Sequence, residues 1–220
     1  MNKFFKIILC LLLTLMLSAC YIEPDAKFTV TAIGFSGKEN GVEAYLQTID
    51  FANTKNGNTA TFLTSGSGKT VNKALQDIKT KLSKAPSFEH CQIVLVSNGI
   101  EGEVFNQTLT LCETLGMSQR VTIAYANNIP SALENNKITS GTELMSLIKQ
   151  NAKTLGFGKH NALFEIKTAI LENGGNFALV NIQTKNEEIK FSGLYEYKNS
   201  QQFKALNLKQ SLNYQGDKAK

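Results

Sequence analysis

The sequence contains no tryptophan, only three prolines and only two histidines among its 220 residues. The two histidines, His90 and His160, stand 70 positions apart, whereas zinc ligands usually come as closely spaced His and Cys residues. We therefore predict no metal site and no bound cofactor. No block of five or six like charges is present, and basic residues are not interleaved with aromatic ones. These absences argue against nucleic acid as a partner.

The sequence also lacks an apolar run long enough to cross a bilayer as a helix, which needs about 20 residues. Its main apolar stretch, Ile7 to Leu17, is shorter and follows two lysines, Lys3 and Lys6. A short positive region before an apolar stretch of roughly 7–15 residues is typical of a secretory signal peptide. We therefore predict that residues 1–19 are a signal peptide.

The four residues Leu17-Ser18-Ala19-Cys20 resemble a bacterial lipobox, Leu-[Ala/Ser]-[Gly/Ala]-Cys, at every position. The resemblance implies that a diacylglyceryl group is added to the Cys20 thiol and that the chain is cleaved before it. The alternative is an ordinary secretory signal with a chance cysteine. Because two acyl chains suffice for stable anchoring, we expect lipidation at Cys20 to hold the protein on the outer face of the cytoplasmic membrane. Residues 20–27 are then the lipidated cysteine and a tether.

Removal of the signal peptide changes the counts of charge and cysteine. Without Lys3 and Lys6, 21 basic residues stand against 18 acidic ones, a net charge of about +3 that favours mild attraction to anionic headgroups. Cys10 leaves with the signal peptide. Cys91 and Cys112 remain outside the cytosol, where a disulfide is one interpretation and two small buried apolar side chains are the other.

Hydrophobic periodicity predicts a mixture of strands and amphipathic helices. Period-2 alternation predicts a hairpin of two strands, followed by a third short strand. The period then changes to that of helices alternating with apolar strands, an order suited to parallel pairing. The predicted strands cover residues 28–35, 42–51, 59–64, 91–97, 120–126, 177–184, 189–197 and 203–208, and the predicted helices cover 71–82, 105–115, 142–155 and 163–171.

This pattern predicts an α/β (mixed α+β) fold, with mixed sheets and amphipathic helices packed on them. The predicted domain covers residues 28–209, and a polar tail follows at 210–220. The length allows one sizeable domain or two small subdomains divided near 127–141, and both arrangements remain open.

The run Gly68-Lys69-Thr70 matches the second half of a phosphate-binding P-loop, Gly-x-x-x-x-Gly-Lys-[Ser/Thr]. Leu63, however, occupies the position of the first glycine. The apolar strand that ends at Ser97 also lacks the carboxylate that would hold magnesium. We interpret the run as a helix start, with Ser67 or Thr70 capping exposed N–H groups and glycines turning the chain.

Other catalytic patterns are missing as well. The nearest approach to Gly-x-Ser-x-Gly is residues 34–38, Gly-Phe-Ser-Gly-Lys, which lack the last glycine. Most acidic residues lie on polar helix faces or in turns such as Glu187-Glu188. We therefore predict no catalytic residues and no enzymatic activity.

Several segments, taken in order, resemble a known family. The lipobox is followed by Ala32-Ile33-Gly34-Phe35, by Ser65-Gly66-Ser67 before a helix, by residues 89–96 (EHCQIVLV), by residues 121–126 (VTIAYA) and by Pro130-Ser-Ala-Leu133. This order resembles the N-terminal region of the C-subunit lipoproteins of bacterial spore germinant receptors, the Ger(x)C family. Residues 191–198 resemble the closing strands of that module. Family members are longer, so the resemblance implies that their C-terminal domain is absent here.

The resemblance implies a non-catalytic subunit, anchored by lipid to the outer surface of the spore inner membrane. Such subunits act with two integral membrane subunits in nutrient-triggered germination. The alternative is a general envelope lipoprotein that binds a small solute or peptide, which would show a pocket with convergent polar groups. An extracytoplasmic enzyme is the third hypothesis, and it would require a cluster of titratable residues.

Overall fold

The computed structural model describes residues 27–50, 61–134, 140–154, 161–185 and 188–218. These ranges contain nine strands and six helices. The strands are β1 (Lys27–Lys38), β2 (Gly41–Ile49), β3 (Thr61–Gly68), β4 (Ala85–Ser87), β5 (Ile93–Val96), β6 (Thr122–Ala126), β7 (Phe177–Lys185), β8 (Glu188–Lys198) and β9 (Gln201–Leu206). The helices are α1 (Val71–Lys81), α2 (Gly102–Thr114), α3 (Ile129–Leu133), α4 (Gly141–Thr154), α5 (Leu163–Glu172) and α6 (Leu208–Lys218).

The strands form one mixed sheet in the order β3-β2-β1-β5-β6-β7-β8-β9, with the short β4 beside β1. The four central strands β1, β5, β6 and β7 are parallel. Antiparallel strands flank them, β2 and β3 on one side and β8 and β9 on the other. The predictions of a mixed α/β fold and of parallel pairing between β5 and β6 are confirmed. Strands β1 to β6 precede residues 127–141 in the chain and strands β7 to β9 follow them, and all nine belong to this one sheet.

Helices cover both faces of the sheet and create two hydrophobic cores. On the first face, α1, α2 and α5 pack against side chains such as Phe35, Val94 and Ile123. On the second face, α3, α4 and α6 pack against Leu95 and other residues that alternate with the first set. Parallel strands covered on both faces need apolar residues at every position, which explains the continuous run Ile93–Val96.

The buried side chain of Gln47 joins the second-face helices to the sheet. Its Oε1 atom accepts hydrogen bonds from Thr31 Oγ1 at 2.8 Å and from the backbone nitrogen of Gly141 at 2.7 Å. Its Nε2 atom donates to the carbonyl oxygen of Leu133 at 2.8 Å. One amide therefore fixes the end of α3 and the start of α4 beside β1 and β2.

Helix α6 occupies most of the segment that the sequence suggests is a polar tail. Asn207 and Gln210 exchange hydrogen bonds between side chain and backbone at 2.9 and 3.1 Å, which caps the helix start. Ser211 is buried and accepts a hydrogen bond from the backbone nitrogen of Leu194 at 3.0 Å. Helix α6 lacks the broad apolar stripe of the other helices and is held instead by its cap and by the buried Ser211 hydroxyl. Hydrophobic periodicity therefore does not predict it.

Several sequence predictions lie outside the described residues. These are the signal peptide at 1–19, the lipidation site Cys20, the tether up to residue 26, and His160.

Candidate functional site at the carboxyl edge of the sheet

The four parallel strands end at one edge of the sheet, called here the carboxyl edge. After β5 the chain passes to α2 on the first face, and after β6 it passes to α3 on the second face. In open α/β sheets, ligands bind where neighbouring strands connect to opposite faces in this way. The carboxyl edge around β5 and β6, with the β1–β2 turn beside it, is therefore the candidate site.

A cleft of about 610 Å³ lies at the β1–β2 turn and is lined by Lys38, Glu39, Asn40, Gly41, Val42, Ser67, Gly68 and Lys69. Lys38 Nζ lies 2.9 Å from a carboxylate oxygen of Glu43, and the Tyr45 hydroxyl donates to the same carboxylate at 2.6 Å. Burial alone would raise the pKa of Glu43, but these two hydrogen bonds and the lysine charge hold that pKa below its usual value.

The glycine run that resembles a P-loop forms one wall of this cleft as strand rather than as a turn. Gly66, Ser67 and Gly68 pair with Ala44, Glu43 and Val42 of β2. A Cβ atom on Gly66 would lie 2.7 Å from the carbonyl oxygen of Ala74, so helix α1 packs directly against the backbone of β3. The prediction that these glycines turn the chain is therefore wrong. They let α1 pack close to the strand.

The start of α1 is capped, as the sequence predicts. Thr70 Oγ1 accepts a hydrogen bond from the backbone nitrogen of Lys73 at 3.3 Å. Ser67, the other predicted cap, instead donates its backbone N–H to Asp77 at 3.0 Å. Hydrogen bonds from Lys81 and from this N–H hold the pKa of Asp77 below its usual value.

The loop between β5 and α2 is held by the turn between β8 and β9, and these contacts are called here the junction. The backbone nitrogen of Gly102 donates to the Ser200 carbonyl at 2.7 Å. The Gln202 backbone nitrogen donates to the Glu101 carboxylate at 3.0 Å, and its Nε2 atom donates to the Ser97 carbonyl at 2.9 Å. The junction therefore brings the start of β9 against the β5–α2 loop, although β9 lies four strands away from β5 in the sheet order.

Aromatic rings fill the space beneath the junction. The rings of Tyr125 and Tyr195 stack with centroids 3.9 Å apart, and Tyr197 packs with Phe105 and Phe177 at 5.3 and 4.8 Å. The Tyr125 hydroxyl donates to Asn98 Oδ1 at 2.6 Å. Burial, with further contributions from Tyr195, raises the pKa of Tyr125 to about 12. Burial likewise raises the pKa values of Tyr195 and Tyr197.

One buried acceptor near this cluster is not used by the described part of the chain. Asn181 is 1% exposed, and its Oδ1 atom has no hydrogen-bond partner among the described residues. Asn181 pairs in register with Tyr125, so both side chains face the first side of the sheet. The carboxyl edge therefore combines hydrogen-bonding groups with a mostly buried aromatic cluster, of which Tyr195 is partly exposed.

The described residues contain no group of three or more His, Cys, Asp or Glu side chains placed to hold a metal ion. His90 is exposed at the start of β5, at the opposite edge of the sheet from the junction. Cys91 and Cys112 are free, buried thiols in the first-face core. Burial raises the pKa of Cys91, and raises the pKa of Cys112 to about 12, so both thiols stay protonated near neutral pH.

The sequence pattern does not predict the junction, because its members come from four separate elements. The only local signal is the alternation Tyr195-Glu196-Tyr197, which places two tyrosines on one face of a strand. Asn98, which accepts a hydrogen bond from Tyr125, looks like an ordinary loop residue, and so do Glu101 and Gln202, which bond to each other.

Within the described ranges, no helix is both long and apolar enough to span a bilayer. No curated protein and no solved structure shows a significant match to the chain. A family described as "Spore germination protein N-terminal domain" matches residues 21–184, about three quarters of the chain. The match begins just after Cys20 and covers every element from β1 to most of β7. The chain thus belongs to this family of spore germination proteins and carries the N-terminal module of the Ger(x)C family.

Proposed function

We propose that the protein is a lipid-anchored, non-catalytic subunit of a spore germinant receptor that takes part in nutrient-triggered germination. The observation that carries the proposal is the family match over residues 21–184. The proposed anchor is the lipid on Cys20, directly before the matched region. The proposed location is the outer face of the spore inner membrane, and the proposed partners are two integral membrane subunits.

The arrangement of groups at the carboxyl edge supports a binding role. The polar groups of the junction are mostly engaged in holding the β8–β9 turn to the β5–α2 loop. Glu101 and Gln202 bond to backbone groups or to each other, and Tyr125 bonds to Asn98. Side chains fixed in this way present a defined surface, which is what a receptor subunit needs to recognise its partners.

Substitution of Cys20 tests the anchor. The Cys20→Ala variant, expressed in a sporulating host, is expected to lose incorporation of radiolabelled palmitate and to remain uncleaved or leave the membrane fraction. Cys10→Ala is the matched control, because it removes the other leader cysteine and is expected to change neither property. Unaltered labelling and membrane fractionation of Cys20→Ala would contradict lipidation at this residue.

The second candidate is a general envelope lipoprotein, and the cleft at the β1–β2 turn favours it. The cleft has the volume of a small-molecule site, and Lys38, Glu39 and Lys69 supply charges of both signs. Under this hypothesis, loss of the protein would leave germination unchanged, whereas a receptor subunit would be required for the response to its nutrient. Germination of spores lacking the chain, measured with a panel of nutrients, separates the two.

A further inference from the structure

The amino edge of the sheet, opposite the junction, is where β1 begins and where the N-terminal segment meets the fold. Lys27 is the first residue of β1. If Cys20 carries the lipid, residues 21–26 separate the anchor from Lys27, a distance of seven residue-to-residue steps along the chain. Because an extended chain spans at most about 3.3–3.6 Å per residue, the start of β1 lies within about 25 Å of the anchored cysteine. Under the proposed anchoring, this edge is therefore held near the membrane.

Two exposed phenylalanines flank the start of β1 on this edge. Phe62 is 48% exposed near the start of β3, where it pairs with Thr48 of β2. Phe164 is also 48% exposed, in the first turn of α5, and its backbone nitrogen donates to the Gln119 carbonyl just before β6. Strands β3 and β6 each lie two positions from β1 in the sheet order. The start of β1, where the N-terminal segment joins the fold, therefore lies between the two phenylalanines.

Both phenylalanines belong to the first-face side of the edge. Phe62 lies in register with Thr48, two residues beyond the pair Leu46 and Thr64, and Leu46 belongs to the first-face core. Helix α5 packs on the same face. The two rings therefore project on the side where α1 ends and α5 begins.

Several exposed basic residues lie on the same edge of the sheet. Lys27, Lys79 and Arg120 are exposed at the start of β1, in the last turn of α1 and before β6. Lys84 Nζ lies 5.4 Å from the ring centroid of Phe28 and 3.0 Å from Asp50. The described acidic residues nearby are Asp50 and Glu113, each paired with a lysine, the exposed Glu89, and Glu165, whose carboxylate accepts the backbone N–H of Ala162. Positive charge is therefore in excess at this edge.

From this geometry we infer that the amino edge docks onto the surface of an anionic bilayer. Phe62 and Phe164 enter the headgroup region on either side of the anchor, and Lys27, Lys79 and Arg120 contact lipid phosphates. Aromatic rings favour the membrane–water interface, and basic residues are attracted to anionic lipid. The inference rests on the proposed lipidation of Cys20 and adds an orientation: the junction and the cleft face away from the bilayer.

The absence of tryptophan allows a direct test, since a single introduced tryptophan is a unique fluorescent probe. Phe62→Trp and Phe164→Trp place the probe at the docking edge with little change in shape. Leu208→Trp is the matched control, because Leu208 is 40% exposed but follows the end of β9, toward the carboxyl edge. Each lipidated full-length variant is reconstituted into phosphatidylglycerol-rich vesicles with or without brominated acyl chains, and quenching by bromine is measured.

We expect the two edge probes to be quenched at least about twofold more strongly than the Leu208→Trp probe, with emission shifted to the blue. Arg120→Glu in the Phe164→Trp background is expected to reduce that quenching, and Lys69→Glu, at the carboxyl edge, is not. Equal quenching at all three positions, or none at the edge positions in protein that floats with the vesicles, would overturn the docking while leaving the anchor intact. Protein that fails to float would overturn both. A probe at the edge that is shielded only when membrane subunits are added would assign this edge to a protein partner and would also overturn it.

Discussion

Gly66 of β3 lies so close to Ala74 of α1 that a Cβ atom on the glycine would stand 2.7 Å from the Ala74 carbonyl oxygen. The same atom would also stand 2.8 Å from the backbone nitrogen of Ile78. Neither neighbour is a flexible side chain that could move aside. The glycine run that resembles a phosphate loop is thus the surface on which α1 packs.

The Gly66→Ala variant is expected to lower the free energy of unfolding by about 1–3 kcal/mol, the usual cost of forcing extra volume into a packed contact. Urea denaturation measures the change. Ser65→Ala is the matched control, because Ser65 is exposed on the same strand and its side chain is expected to matter by less than about 0.5 kcal/mol. A Gly66→Ala protein as stable as the control would show that α1 does not pack as described.

Magnesium and ATP are expected to leave the thermal stability of the protein unchanged, because the first glycine of a P-loop is replaced by Leu63. A ligand that binds the native state at 100 times its Kd would stabilise it by about 2.7 kcal/mol, a readily measured rise in Tm. Lys69→Ala is expected to behave like the wild type in this assay. A rise in Tm with Mg-ATP that disappears in Lys69→Ala would restore the phosphate-loop hypothesis.

Gln202→Ala removes the side chain that connects β9 to the β5–α2 loop. Its Nε2 atom donates to the carbonyl of Ser97 and lies 3.2 Å from the Tyr197 hydroxyl, so the loss leaves part-buried groups without their partner. We expect a destabilisation of about 1–3 kcal/mol and faster amide hydrogen exchange around the β8–β9 turn. Gln183→Ala, at an exposed position of β7, is the control. Unchanged exchange in Gln202→Ala would mean that the junction is held by other contacts.

Alkaline pH is expected to destabilise the protein through its buried tyrosines. The folded-state pKa of Tyr125 is raised to about 12 from an unfolded value of about 10. Because the folded state favours the neutral phenol, this contribution to stability is complete below pH 10 and is lost as the pH rises from 10 to 12. The free energy of unfolding at a series of pH values measures this loss. Tyr125→Phe should show a shallower decline, and an equally steep decline would exclude Tyr125 as a cause.

Most of the strands and the parallel pairing of β5 and β6 could be predicted from the sequence because they rest on local patterns. The continuous apolar run Ile93–Val96 reflects burial on both faces of the sheet. The 3.6-residue spacing of Val71, Ala74, Leu75 and Ile78 reflects burial of one face of α1. The cap at Thr70 was likewise predictable, because capping involves residues three positions apart.

The candidate site could not be predicted in the same way, because its contacts cross long separations. Glu101 and Gln202 stand 101 positions apart, and Asn98 and Tyr125 stand 27 apart. The role of the glycines in β3 was missed for a related reason. A glycine next to a helix start is compatible with both a turn and a close strand–helix contact, and only the position of α1 distinguishes them.

The most direct test of the proposed receptor function is recovery of partners from the native membrane. The tagged full-length protein is purified from detergent-solubilised spore inner membranes, and the co-purifying proteins are identified by mass spectrometry, with an untagged strain as control. The account predicts two multi-spanning membrane proteins in the eluate. Recovery of none, or of unrelated envelope proteins alone, would contradict membership in a germinant receptor.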